Sequence, residues 1–222
     1  MTYLQMVNSV LTRLREPSIS VLTGNTNPLL DLSYQELIGE FVKDAITLCE
    51  NAWDWSHLRE EVNFTTTNGN SNLTLTGCKV GSELGYVSCD ELKGFLKKAD
   101  RVWMKSKSFS EPINGVPQFF SEDGYDASGN LKVKLFPTPD AVYNLKVNVV
   151  KRTDVSSLVD SSVIKIPHLP IIFLAYASAL SERGEQGGNT ASEQLLLAKQ
   201  MLSDVIAIDA ERNSEDLVWR GV

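Results

Sequence analysis

The order of the periodic segments is the feature that most constrains the fold of this chain. Apolar residues recur at helical spacing in residues 1–60 and again in residues 168–212. Residues 61–167 carry short alternating runs and turn residues, which are typical of strands. Because an amphipathic helix must bury its apolar face, we expect the two ends of the chain to meet in one bundle of about four helices. The predicted fold is α+β, with an antiparallel β-sandwich or small barrel inserted into that bundle.

This order predicts three parts. Residues 1–60 plus 168–212 form the helical bundle, residues 61–167 form a β-rich domain, and residues 213–222 form an extended C-terminal tail. The tail is polar apart from Leu217, Val218 and Trp219. So few apolar residues cannot build a core, and we therefore expect the tail to become ordered on a partner surface.

Capping signals predict where two of the helices begin. Ser33 with Glu36, and Thr190 with Glu193, have the spacing of a capping box, in which each side chain satisfies a backbone N–H of the first turn. The apolar residues assigned to the last helix are Leu195, Leu196, Ala198, Leu202, Val205, Ile206 and Ile208.

The middle of the chain predicts six or seven short strands. Val62 and Phe64 alternate with polar residues, Asn68 and Gly69 form a turn, and alternation resumes at Leu73, a pattern that indicates a β-hairpin. The remaining predicted strands are residues 85–88, 101–105, 117–121, 131–136 and 142–152.

Charge and hydropathy exclude several classes of protein. The net charge is −7, and residues 1–60 and 168–222 each carry four basic and eight acidic side chains, whereas the middle is nearly neutral. An acidic surface repels nucleic acid, which argues against sequence-specific DNA reading. No apolar run approaches the roughly 20 residues that span a bilayer. The amphipathic N-terminal segment does not resemble a secretory signal, so we expect no membrane partner.

The chain shows no pattern typical of a catalytic site. His57 and His168 are its two histidines, and neither lies near a nucleophile and an orienting acid in a recognisable motif. Neither disulfide nor metal-site spacing is present among the three cysteines, Cys49, Cys78 and Cys89. The sequence therefore predicts no catalytic residue, no metal and no cofactor.

Aromatic residues suggest where another protein could bind. Trp53 and Trp55 lie two positions apart on a helical segment and cannot both face one core, so one is expected on the β-rich domain or on a neighbouring subunit. Trp219 is an isolated aromatic residue in the polar tail, and such residues are enriched at interfaces. The predicted assembly interface comprises Trp53, Trp55, Leu217, Val218, Trp219 and Arg220.

One stretch combines basic and aromatic residues. Residues 93–107 contain six lysines and arginines, with Phe95 and Trp103 interleaved. Single-stranded nucleic acid favours such a surface. Because Asp100 and other acids dilute this charge, we expect a solvated edge or a contact with a partner protein.

Several segments together resemble a known family. They are YLQMVNSVLTRLRE at 3–16, AWDW at 52–55, VKLFPTP at 133–139, AYASALSERGEQGG at 175–188 and DVIAIDA at 204–210. In this order they are similar to the head-to-tail adaptors of short-tailed bacteriophages, the tail tubular protein A family. The resemblance covers nearly the whole chain.

This resemblance implies a structural virion protein assembled in the host cytoplasm and located in the phage neck. It implies a homo-oligomeric, dodecameric ring that joins the portal protein to the tail nozzle, tail tubular protein B, and gives attachment to the tail fibre. Genome DNA would pass through the ring at ejection without being read. Three other interpretations stay open: another neck or tail connector, a small cytoplasmic hydrolase using His57 with Cys78 or Cys89, and a β domain that binds a glycan or fibre.

Overall fold

The computed structural model describes residues 1–24, 32–107, 109, 113–184 and 187–212. The chain divides into two compact units: a helical unit, Met1–His57 with Thr153–Val222, and a β unit, Leu58–Arg152. The predicted α+β fold, with helices from both chain ends and strands between them, is confirmed. The predicted domain boundaries lie at 60/61 and 167/168, whereas this division groups residues 153–167 with the helices.

The helices and strands of the described residues follow one another along the chain. They are α1 (Tyr3–Arg13), α2 (Ser33–Ala52), β1 (Arg59–Thr65), β2 (Asn72–Leu75), β3 (Glu83–Cys89), β4 (Gly94–Phe95), β5 (Lys97–Lys98), α3 (Arg101–Lys107), β6 (Phe119–Tyr125), β7 (Leu131–Phe136), β8 (Asn144–Val150), α4 (His168–Arg183) and α5 (Gly187–Arg212). Short 3₁₀ turns occupy Ser56–Leu58 and Val155–Ser157.

In the helical unit, α4 packs against α1, α2 and α5. Its buried face includes Ala175, Ala177 and Ala179, and such small side chains allow a neighbouring helix to approach closely. The contact between α1 and α2 is also close. A Cβ atom added at Gly39 of α2 would lie 2.6 Å from the Tyr3 hydroxyl, so any larger residue there would force the Tyr3 side chain to shift.

Both predicted capping boxes are wrong. Helix α2 is capped by buried Leu32, whose carbonyl already accepts the amide of Glu36 at 2.8 Å, so Ser33 lies inside the helix. Likewise α5 begins at Gly187, which places Thr190 inside its first turn. A capping box does form at α1, where the Thr2 hydroxyl accepts the amide of Gln5 and the Gln5 side chain accepts the amide of Thr2.

The β unit is a sandwich of two four-stranded sheets. The first sheet has the order β1-β8-β3-β4 and is antiparallel, and the second has the order β2-β7-β6-β5, with β5 and β6 parallel. Alternate residues of both sheets face one shared core. Its largest fully buried members are Leu75, Phe120, Leu135 and Leu145. Among the described residues neither sheet closes into the barrel that the sequence left as an alternative.

The turn at Asn68 and Gly69 forms, but the predicted hairpin does not. Gly69 adopts a φ of +76°, as the turn requires. The strands on either side of this turn then enter different sheets, since β1 pairs with β8 and β2 pairs with β7. The turn therefore connects the two layers of the sandwich.

The predicted strand at residues 101–105 is also wrong, because this segment is helix α3. The carboxylate of Asp100 accepts the amides of Val102 at 2.8 Å and Trp103 at 3.4 Å, which satisfies the free N–H groups of the first helical turn. Trp103 then packs on Phe119 and Phe136, with ring centroids 4.9 and 5.7 Å away.

Candidate functional site

The most highly connected buried acid of the helical unit is Asp209 on α5. It is 2% exposed and accepts hydrogen bonds from the Trp53 indole at 3.1 Å, from the Ser56 amide at 3.0 Å and from the Ser56 hydroxyl. Burial disfavours its ionised form, but the bonds from Ser56 and Trp53 and the nearby His57 outweigh burial and lower the pKa of Asp209.

Ser56, His57 and Asp209 therefore lie together, and this is the combination of residues found in hydrolase triads. A working triad needs the imidazole between the hydroxyl and the acid, with one ring nitrogen facing each. Here His57 Nδ1 faces both Asp209 Oδ1 at 3.6 Å and Ser56 Oγ at 3.4 Å, while the Ser56 hydroxyl donates directly to Asp209. This geometry holds the end of α2 against α5 and does not activate Ser56.

The cysteines are not arranged for nucleophilic chemistry. Cys49, Cys78 and Cys89 are all free and buried. Burial raises the pKa of all three thiols, and that of Cys49 reaches about 12. A high pKa suppresses the reactive thiolate, so the proposed pairing of Cys78 or Cys89 with His57 gains no support. His168 is exposed in the first turn of α4. The described residues hold no cluster of three or more acidic, histidine or cysteine side chains suited to a metal.

Two more acids bridge distant segments of the helical unit. Glu50 accepts the amide and hydroxyl of Thr153 at 2.8 and 2.6 Å. Asp160 accepts the amides of Leu22 at 2.8 Å and Thr23 at 2.9 Å, and also the Thr23 hydroxyl at 2.8 Å. Although burial opposes this, the hydrogen bonds lower the pKa of Asp160.

Together with Asp209, these acids join the N-terminal half of the helical unit to the half that returns from the β unit. No sequence motif marks them. A lone acid inside the apolar run 205–210 was the available signal for Asp209.

The predicted interface residues lie in different settings. Trp55 is 1% exposed and donates its indole N–H to the Cys49 carbonyl at 2.8 Å, so it serves the core of the helical unit. Trp53 is half-buried and bound to Asp209. Leu217, Val218, Trp219 and Arg220 lie outside the described residues. The assignment of these six residues to an assembly interface stays a prediction.

Several large apolar side chains are exposed on α5. The residues that α5 buries are Ala191, Ala198 and Asp209, which fall on one stripe of the helix. Three consecutive leucines and one isoleucine of α5 are exposed on several sides of the helix, because successive helical residues are about 100° apart. We call this the α5 surface: Leu195, Leu196, Leu197 and Ile208. Leu196 alone is 67% exposed.

The α5 surface is continuous with a groove in the helical unit. A cavity of about 470 Å³ opens among α2, α4 and α5, and its lining includes Phe41, Ala177 and Leu195. Exposed apolar side chains beside such a groove are a candidate contact surface for another protein.

The basic and aromatic stretch is divided between the two sheets of the β unit. Phe95 on β4 packs edge-on against Tyr86, with ring centroids 5.2 Å apart, beside Lys93 and a cavity of about 460 Å³. Trp103 lies on the opposite sheet, where it packs on Phe119 and Phe136. The aromatic residues therefore do not line one continuous track for stacking nucleotide bases.

Comparison with known proteins identifies a family. A family model described as the SU10 adaptor protein matches residues 1–220. No curated protein matches the chain. Among the described residues, no helix is both long and apolar enough to cross a membrane.

Proposed function

Since the chain belongs to the SU10 adaptor protein family, we propose that this structural phage adaptor assembles into a dodecameric ring in the neck of the virion. The ring joins the portal protein to the tail nozzle, gives attachment to the tail fibre and lets the genome pass through. Kinship to the short-tailed phage adaptors, the tail tubular protein A family, is part of this proposal.

The α5 surface is the observation that carries the proposed ring. A monomer rarely exposes so many large aliphatic side chains on one helix, and subunit interfaces are where such side chains are buried. The buried described residues of α5 are two alanines and Asp209, so the exposed leucines are not part of the core of one subunit. They are free to contact another.

Charge supports the passage of DNA. The helical unit carries eight basic and seventeen acidic residues, a net charge of −9. Repulsion between such a unit and the phosphate backbone would keep DNA from binding to a channel lined by it.

The ring is tested by measuring mass in solution, with and without the portal protein, by analytical ultracentrifugation. We expect a dodecamer, either alone or on the portal, and we expect Leu196→Asp to weaken assembly by about tenfold or more, because a charge then replaces an exposed leucine that the proposed interface would bury. Leu169→Asp is the matched control, since Leu169 is an exposed leucine of α4 outside the α5 surface.

Three results would contradict the proposal. A monomer that binds no portal would exclude the ring, and equal assembly by wild type and Leu196→Asp would exclude the α5 surface as its interface. A chain that binds the portal as a smaller oligomer would favour a different neck connector.

A further inference from the structure

Helix α3 is fixed on the outer face of the second sheet. Trp103 packs on Phe119 of β6 and Phe136 of β7, and the next residue, Met104, is almost fully buried. Lys107 lies over the Trp103 ring at 5.2 Å. The helix therefore has one defined position, and the space beside it is a structural feature of the sandwich.

That space is a cavity of about 390 Å³ with three cationic side chains around it. Arg101 and Lys105 reach it from α3, and Lys134 reaches it from β7. Ser121, which is 4% exposed, contributes a hydroxyl group to its lining. We call this the α3 cavity.

Among the described residues, the positive charge lining the α3 cavity exceeds the negative charge that faces it. Its one lining acid, Asp123, is paired with Arg101 at 3.5 Å. Of the neighbouring acids, Glu122 is paired with Lys98 at 2.7 Å and Asp100 caps α3. Lys134 pairs with no acid in the part of the chain that the structure describes.

The α3 cavity also has an exposed apolar side chain in its lining. Val102 also lines the cavity and is 75% exposed, so a ligand that reaches Lys134 also meets an aliphatic side chain. An anion alone would leave Val102 exposed to water. A peptide that carries an acidic side chain next to an apolar one would satisfy both features.

We propose that the α3 cavity binds a protein segment in which an aspartate or glutamate is followed by an apolar residue. The carboxylate contacts Lys134, with Ser121 as a hydrogen-bond donor, and the apolar side chain covers Val102. Nucleic acid is a poorer occupant, because its phosphates would lie close to the carboxylates of Asp123, Glu122 and Asp100. This inference does not depend on the formation of a ring.

The test uses the full-length protein and a synthetic eight-residue peptide of alternating valine and glutamate. Its matched probe has glutamine at each glutamate position. We expect the acidic peptide to bind at least about fivefold more tightly than the neutral one, as measured by isothermal titration calorimetry. Lys134→Gln should weaken binding of the acidic peptide by about fivefold or more, because it removes a cation that pairs with no acid among the described residues.

The control variant is Lys132→Gln, two residues away on the same strand and outside the cavity. It should leave the affinity within about twofold of wild type if the α3 cavity is the site. Unchanged circular dichroism and melting temperature establish that both variants fold.

Four results would overturn the proposal. They are absence of binding by the acidic peptide, equal binding by the two peptides, equal losses in the Lys132 and Lys134 variants, and tighter binding of an oligothymidylate that depends on Lys134. The last result would assign the cavity to nucleic acid.

Discussion

The two units of this protein differ in where their stabilising contacts come from in the sequence. The helical unit is built from both chain ends, carries a net charge of −9, and joins its two halves through buried acids. The β unit is one continuous segment with thirteen basic and eleven acidic residues, a net charge of +2, and it shares an apolar core between two sheets. The two charges recover the total of −7.

This difference shows that the acidity of the helical unit is not simply a property of its surface. Glu50, Asp160 and Asp209 accept hydrogen bonds from residues more than one hundred positions away. A carboxylate accepts several bonds at once and can therefore fasten the backbone and side chains of a distant segment. The core of the β unit does not depend on buried carboxylates of this kind. Hydrogen bonds between paired strands satisfy the backbone N–H and C=O groups there.

The largest effect is expected in the core of the β unit. Leu145→Ala removes a fully buried side chain at the centre of the sandwich and should lower the free energy of unfolding by about 2–5 kcal/mol. Urea unfolding and hydrogen exchange of the β8 amides measure this loss. Val142→Ala, at a side chain that is largely exposed, is the control and should change stability by less than about 0.5 kcal/mol. Equal effects of the two variants would show that the shared core does not stabilise this unit.

The next effect is expected where α5 meets the end of α2. Asp209→Ala leaves the Trp53 indole and the Ser56 amide without their acceptor and should lower stability by about 2–4 kcal/mol. Asp204→Ala, at an exposed acid of the same helix, should cost less than about 0.5 kcal/mol. Urea unfolding, monitored by tryptophan fluorescence, measures both losses of stability. Equal losses would contradict the stabilising role of buried acids that distinguishes the helical unit from the β unit.

The smallest effect concerns pH and Asp160. Its pKa is lowered in the folded state, so its stabilising contribution is complete above the unfolded value of about 3.9 and disappears as the pH falls through the folded value. Asp160→Asn cannot titrate, and its stability should therefore fall less between pH 5 and pH 3 than that of wild type. At pH 7 the variant should be about 1–3 kcal/mol less stable, since an amide replaces an acceptor of three hydrogen bonds. Parallel pH profiles of the two proteins, from urea unfolding, would contradict this role.

The fold class could be predicted from the residues alone, because hydrophobic periodicity distinguishes helix from strand locally. Val62 and Phe64 alternate with polar residues, as do Leu73 and Leu75, and these two patterns located strands β1 and β2. Gly69 correctly marked the turn between them. The order of the segments that resemble phage adaptors also indicated that the chain is a phage adaptor, and the family match supports that prediction.

Tertiary structure alone decided which strands pair, where α2 begins and which face of α5 is buried. Local alternation in β1 and β2 is the same whether they pair with each other or, as here, with β8 and β7. Leu32 became the cap of α2 because its burial outweighed the capping preference of Ser33. Periodicity cannot tell whether an apolar face is covered by the same chain or by another. The helical unit covers Ala198 and Asp209 of α5 and leaves Leu196 exposed, because Leu196 lies on another face of the helix.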